Sequence, residues 1–143
     1  MSGTAITPYL FFGGRCEEAL EFYRKALGAE VELLMRFDES PEPPPPGMLQ
    51  AGFEKKVMHA SFRVLGIPLM ASDGCDDNSS NFDGLRLALS VPTEAEAHKA
   101  FDALANEGSV QMPLSKTFWS PCYGMLTDRF GLGWMVMVPG PER

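Results

Sequence analysis

The chain has 143 residues, a length that fits one folded domain with a substantial core. Its net charge of −7 and isoelectric point of about 4.8 argue against nucleic acid and anionic membranes as partners, because phosphate groups would be repelled. No apolar run is long enough to cross a bilayer, and three scattered cysteines fit neither a disulfide framework nor a thiolate zinc site.

The N-terminal residues predict the compartment. They contain no basic segment followed by an apolar one, so we expect no secretory signal. Unpaired cysteines suit a reducing environment, and we therefore expect a soluble cytoplasmic protein.

The first third of the chain predicts a strand, a helix and a second strand. Residues 4–12 are apolar and rich in strand formers, and Gly13-Gly14 interrupts them. Residues 17–27 place apolar side chains at helical spacing, and Gly28 ends that helix. We expect the second strand over residues 30–37.

A proline-rich segment follows. Five of the residues 41–46 are prolines, and with Gly47 they prevent both a helix and a central strand. A surface loop is the simpler interpretation. A lid over a pocket, or an arm that reaches a partner subunit, is the alternative.

The middle of the chain predicts a hairpin and then a restart of the first pattern. Strands over 57–65 and 67–73 meet at Leu65-Gly66, and a polar linker covers 73–83. A strand over 85–91 precedes a helix with Thr93 as N-cap and Glu96 three residues later. The helix ends near Asn106, and strands follow near 109–112, 118–128 (kinked or split) and 134–138.

The repeated order predicts the fold class. Strand, helix and three strands occur twice, at an offset of roughly 80 residues, which indicates a duplicated module. We predict one α+β domain in which paired βαβββ modules, about 4–73 and 83–138, form curved mixed sheets with helices on the outside. The inner side of the curve is then free for a ligand.

Alternation along the strands predicts which side chains face that inner side. In the first module Ala60, Phe62 and Leu69 face the helix, and in the second Leu85, Leu87 and Leu89 do so. The opposite face carries Tyr9, His59, Ser61, Arg63, Met70, Ser72, Arg86 and Met135. Alternation alone leaves open whether this face is a ligand site or the solvated side of a sheet.

Motifs spread over nearly the whole chain carry a family pattern. The most specific are FWSPCYG at 118–124, DRFG at 128–131 and Trp134. PYLFF at 8–12, EALEFY at 18–23, MHA at 58–60 and LMASD at 69–73 accompany them. With these motifs the chain resembles the PhnB-like branch of the glyoxalase/bleomycin-resistance (vicinal oxygen chelate) superfamily.

The resemblance implies paired βαβββ modules, a homodimer and, in the superfamily's enzymes, a divalent metal held by inward-facing side chains. The motifs map three of those ligand positions near Thr7, Arg86 and Met135, none of which is a competent ligand. We therefore expect no metal and no other cofactor. The bleomycin-resistance members bind a drug without a metal, which makes a metal-free binder a natural expectation.

Members of this branch also carry a methyltransferase label. The sequence does not support it, because Gly13-Gly14 lacks the rest of a glycine-rich cofactor loop and is interpreted as a turn.

These observations predict a metal-independent protein that binds a small molecule, with Trp134 near the site. The predicted ligand-binding residues are Tyr9, His59, Arg63, Met70, Arg86, Trp119 and Met135. The alternative is a metal-dependent lyase, dioxygenase or transferase with a rearranged site, in which His59 is the candidate catalytic residue. A third hypothesis is an interaction module whose open sheet face serves only dimerisation. His98 and Cys16 are expected to have no role in the site.

Overall fold

The computed structural model describes residues 3–78 and 80–140 and divides the chain into two compact units, Met1–Asn81 and Phe82–Arg143. Each unit is a four-stranded mixed sheet with one α-helix. Within the described ranges, no helix combines the length and the apolar character that a membrane span requires.

The first unit contains four strands, one α-helix and a single 3₁₀ turn. In chain order these are β1 (Tyr9–Phe11), α1 (Cys16–Leu27), β2 (Glu30–Arg36), the 3₁₀ turn (Phe37–Glu39), β3 (Val57–Val64) and β4 (Ile67–Ser72). The second unit repeats the pattern with β5 (Leu87–Ser90), α2 (Glu94–Ala105), β6 (Ser109–Ser115), β7 (Cys122–Thr127) and β8 (Gly133–Val138).

The two sheets have the same topology. Their strand orders are β1-β4-β3-β2 and β5-β8-β7-β6. In each, the first strand runs parallel to the last, and the remaining neighbours are antiparallel. The predicted α+β class and the repeated βαβββ order are confirmed.

Local chemistry explains where the helices begin and end. Gly28 adopts the left-handed conformation at the end of α1, with φ of 72°, and its N–H donates to the Arg24 carbonyl. At the start of α2 the Thr93 hydroxyl accepts a hydrogen bond from the Glu96 N–H at 3.1 Å, so the predicted N-cap is confirmed.

The hairpin between β3 and β4 turns on two residues with positive φ. Leu65 has φ of 52° and Gly66 has φ of 84°. That pair of values is typical of a two-residue turn of type I′, which matches the twist of the strands it joins. The predicted turn at Leu65-Gly66 is confirmed.

Most of the helix-facing side of the first sheet is buried as alternation predicts, although Ile67, at the hairpin end of that side, is 62% exposed. Ala60, Phe62, Leu69 and Ala71 are all buried, and α1 packs against β3. Ser72 departs from the prediction. It is buried, and its hydroxyl donates to the Val57 carbonyl at 3.3 Å and accepts from Gly74 N–H at 2.9 Å.

Three strands are shorter than predicted. The first begins only at Tyr9, because Pro8 has no N–H and takes part in the sheet only by accepting from Met70 N–H. Residues 118–121 lie outside β7, where Pro121 and a turn that joins Thr117 to Ser120 end the pairing. Leu85 precedes β5 and is exposed, not turned to the helix.

Candidate functional site

A tyrosine–histidine pair lies on the face of the first sheet that α1 does not cover. The Tyr9 hydroxyl is hydrogen-bonded to Nδ1 of His59 at 2.9 Å, and the ring centroids are 5.7 Å apart. Tyr9 is on β1 and His59 is on β3, so the contact passes over the intervening strand β4. Because neighbouring strands lie about 4.8 Å apart, only a long side chain such as tyrosine spans that gap.

The surroundings of this pair are apolar and partly exposed. Tyr9 stacks on Phe11 with centroids 5.1 Å apart, and its register partner is Met70. On the other side, Met35 is the register partner of His59. We call this surface the helix-free face of the first unit, formed by Tyr9, Phe11, Leu33, Met35, His59, Ser61 and Met70.

The electrostatics keep the tyrosine neutral. Burial raises the pKa of the Tyr9 phenol above its ordinary value, the Cys16 thiol nearby adds to that increase, and a hydrogen bond with Ser72 opposes it. A neutral phenol both donates and accepts. It can therefore form a hydrogen bond with Nδ1 of His59 in either tautomer of the ring. Nε2 is then the ring nitrogen that can bind another molecule.

Arg63 also lies on β3, but its guanidinium is bonded within the unit. Its Nε donates to Glu32 at 3.0 Å, and its Nη1 donates to the Gly66 carbonyl at 2.9 Å. Both contacts are exposed. The Arg63 guanidinium, a predicted ligand-binding group, is thus hydrogen-bonded at the hairpin end of the sheet, away from the Tyr9–Met70 register position.

Arg86 lies just before β5 and crosses the end of the second sheet. Its Nη1 donates to the Leu126 carbonyl at 2.7 Å and approaches Gln111 Oε1 at 3.4 Å. The side chain lies over Gly133, where a Cβ would come within 2.8 Å of Arg86 Cγ. The sequence predicted this residue within a strand over 85–91, but it lies just before β5 with its guanidinium fixed at the strand end.

A row of methionines crosses the second sheet. Met135 on β8 is the register partner of Met125 on β7, which in turn is the partner of Met112 on β6. Sequence reasoning identified Met135 but missed the other two. The predicted segment 118–128, kinked or split at an undefined position, gave the alternation of β7 no fixed starting point. Methionine side chains adapt to ligands of irregular shape.

Trp119 belongs to a separate aromatic cluster on the loop before β7. Its ring meets Phe118 at 4.8 Å and Tyr123 at 5.4 Å, both edge to face. Phe118 is 84% exposed. Trp134, which we expected near the site, instead lies in the core of the second unit and donates from Nε1 to the Asp128 carboxylate at 2.9 Å. The other Asp128 oxygen accepts from the N–H groups of Phe130 and Leu132 at 2.8 and 3.1 Å in the turn between β7 and β8.

Asp73 is the residue whose role sequence reasoning missed. It is 1% exposed, and one carboxylate oxygen accepts from the N–H groups of Gly14 and Cys16 at 2.7 and 2.8 Å. The other oxygen accepts from Val57 N–H at 2.8 Å. The carboxylate thus fills the N-terminal end of α1, and Gly13-Gly14 forms a turn as predicted.

Cys16 and His98 stay outside the candidate site. Cys16 is buried, and burial together with the Asp73 and Glu17 carboxylates raises the pKa of its thiol far above the ordinary range. The thiolate that redox chemistry needs is therefore disfavoured. His98 is exposed on α2.

The three metal positions that the superfamily would use do not supply ligands. Thr7 lies before β1, Arg86 carries a cation, and Met135 offers only a thioether. Within residues 3–78 and 80–140, no three His, Cys, Asp or Glu side chains form a group suited to a metal ion. The residues present do not fit the superfamily's metal centre.

Comparison with known proteins assigns the family. A family model described as 3-demethylubiquinone-9 3-methyltransferase matches residues 4–137. The chain belongs to this PhnB-like family. It is 34% identical to Protein YjdN of Escherichia coli over 140 residues, 93% of this chain and 94% of YjdN.

Solved structures agree with this assignment. Protein PA1353 from Pseudomonas aeruginosa is 42% identical, with a TM-score of 0.78 over 97% of this chain and all of that one. A PhnB protein from Bacillus cereus is 30% identical, with a TM-score of 0.77 over 94% and 99% of the two chains. A glyoxylase/bleomycin resistance protein/dioxygenase domain from Frankia, 12% identical with a TM-score of 0.61 over 97% and 98%, shares the fold. The resemblance that the motifs predicted is confirmed.

The family's descriptive name implies a methyl-donor cofactor. The junction at Gly13-Gly14, where β1 leads into α1, does not fit one. Nucleotide-like cofactors bind where backbone N–H groups at a helix N-terminus are free. Here those groups already bind the Asp73 carboxylate, and Glu17 and Glu18 follow in the first turn.

Proposed function

We propose that this PhnB-like protein binds a small organic molecule without a metal ion. The observation that carries the proposal is the Tyr9–His59 hydrogen bond on a half-exposed apolar face. Ligand sites are typically apolar surfaces with a few fixed polar groups, and this face has that composition. The relatives assign the family, and the proposal about binding rests on the side chains of this face.

The contact residues are assigned unit by unit. In the first unit Tyr9 and His59 fix the orientation of the ligand, and Met70 provides apolar contact. Arg63 is the least favoured member, because Glu32 and the Gly66 carbonyl already occupy it. In the second unit Met135, Trp119 and Arg86 are the contacts that we propose. We also propose that the protein is a homodimer in the cytoplasm. A mass of twice the monomer, measured by light scattering, would support the dimer.

A matched pair of histidine variants tests the proposal. A panel of small aromatic and anionic compounds is screened by thermal shift, and the best compound is titrated calorimetrically. His59→Asn and Tyr9→Phe should weaken its affinity by about tenfold or more, because each removes one member of the orienting pair. His98→Asn, the same change on an exposed helix position, should leave the affinity unaltered. Equal affinities for His59→Asn and His98→Asn would contradict the proposal.

Acid–base catalysis is the second candidate, and the same hydrogen bond favours it. A general base needs a partner that orients the ring, and Tyr9 supplies one at Nδ1 of His59. A superfamily lyase, dioxygenase or transferase with a rearranged metal site would bind a stoichiometric divalent ion. Elemental analysis of protein purified without chelator or affinity metal therefore separates this metal-dependent enzyme from the binder: a stoichiometric metal that is lost in His59→Asn would favour the metal-dependent enzyme.

A further inference from the structure

Arg86 differs from the other arginines in the described part of the chain. The described residues include six arginines, and the five others each form an ion pair with a carboxylate at 2.6 to 3.4 Å: Arg15, Arg24, Arg36, Arg63 and Arg129. Arg86 forms no such pair within residues 3–78 and 80–140. A cation without a carboxylate partner is unexpected in a chain whose net charge is −7.

The Arg86 guanidinium is nevertheless fixed in place. One nitrogen, Nη1, donates a hydrogen bond to the Leu126 carbonyl at 2.7 Å, and the residue is half-buried. Its stem and Nη1 lie against Gly133, where the space for a Cβ is taken by Arg86. In the described structure Nε and Nη2 donate no hydrogen bond, so the edge of the guanidinium that can bind a planar anion with two donors is available.

This guanidinium lines a cavity in the second unit of about 440 Å³. That volume lies within the range of small-molecule sites. Phe82 gives the cavity an apolar wall, and Gly84 and Gly131, which have open space beside the backbone, let a ligand approach it closely. Asp83 also lines the cavity. That carboxylate would repel a second negative charge on the ligand.

We infer that the Arg86 cavity binds the carboxylate of a small organic acid with an apolar body. The Nε–Nη2 edge pairs with the two carboxylate oxygens, Phe82 contacts the apolar body, and Asp83 selects against dianions such as phosphate. This inference rests on the proposed function, because it assigns the charge of a small molecule that the second unit binds.

Phenylacetate and its neutral amide, phenylacetamide, are the probes. Calorimetry should show the carboxylate binding about tenfold more tightly than the amide or better. The Nε–H resonance of Arg86 in the nitrogen–proton spectrum should shift with phenylacetate and stay in place with the amide. Inorganic phosphate should compete weakly with wild type, and more strongly with Asp83→Asn.

Variants of matched charge locate the effect. Arg86→Gln should abolish the preference for the carboxylate, and Arg86→Lys should restore it in part, since charge is kept but the two-donor edge is lost. Arg24→Gln, which removes the same charge from an exposed site, should bind as wild type does. The lysine variant guards against a trivial loss of folding by the glutamine variant.

The outcomes separate this inference from the proposed function. Equal binding of acid and amide, unchanged by Arg86→Gln, would overturn the anion site and leave a His59-dependent binder standing. Failure of both probes, while other compounds bind with His59 dependence, would do the same. If no small molecule binds at all, both proposals are wrong.

Discussion

Asp73 shows how much a single buried side chain contributes to the first unit. Its carboxylate satisfies three backbone N–H groups, on the glycine turn, at the start of α1 and at the start of β3. A buried donor left without a partner costs about 1–3 kcal/mol. The residue therefore ties three segments together just after Ser72, where β4 ends.

Asp73→Asn is expected to lower the free energy of unfolding by about 2–3 kcal/mol, because the amide keeps one acceptor but presents N–H groups to another donor. Chemical denaturation measures the change. The exposed Asp77→Asn is the matched control and should stay within about 0.5 kcal/mol of wild type. An Asp73→Asn variant as stable as that control would show that the carboxylate does not hold the junction.

At the scale of elements, the β3–β4 hairpin contains a local conflict between residue and conformation. Leu65 occupies the left-handed region, which costs a residue with a branched side chain about 1 kcal/mol, while Gly66 occupies it freely. Asparagine followed by glycine is the pair preferred in such turns.

Leu65→Asn should therefore raise the free energy of unfolding by about 0.5–1 kcal/mol. Leu65→Ala removes a similar exposed apolar surface but keeps the poor fit to the left-handed region, and it should give no such gain. Thermal and denaturant unfolding of the two variants make the comparison. If alanine stabilises the hairpin as much as asparagine does, the backbone explanation is wrong.

Alternation and capping predicted the elements well because both are local. The buried side of β3 and β4, the Thr93 cap and the Leu65-Gly66 turn each depend on residues within a few positions. The Tyr9–His59 bond could not be predicted in the same way. It joins residues 50 apart and requires β1 to lie beside β4, a pairing that no local pattern specifies.

The same limit applies to Asp73 and Arg86. Both lie just outside a strand, where alternation no longer defines a direction, and their partners come from distant segments. The placement of the predicted residues in a ligand site remains a prediction, since their positions alone do not test binding.

At the scale of the whole molecule, one topology occurs in both units. Each unit carries a helix on one face of its sheet and leaves the other face to side chains of mixed character. One such face presents a tyrosine–histidine pair and the other presents methionines, so the two units differ in chemistry while sharing one topology. A shared scaffold supports many functions, and the side chains decide which.

The most direct test of metal-independent binding is the affinity of the best panel compound, measured by calorimetry before and after exhaustive dialysis of the protein against a chelator. A metal-independent binder should give the same dissociation constant in both states, and added divalent ions should not change it. Binding that disappears with the chelator and returns with a divalent ion would contradict metal-independent binding and place a metal in the site.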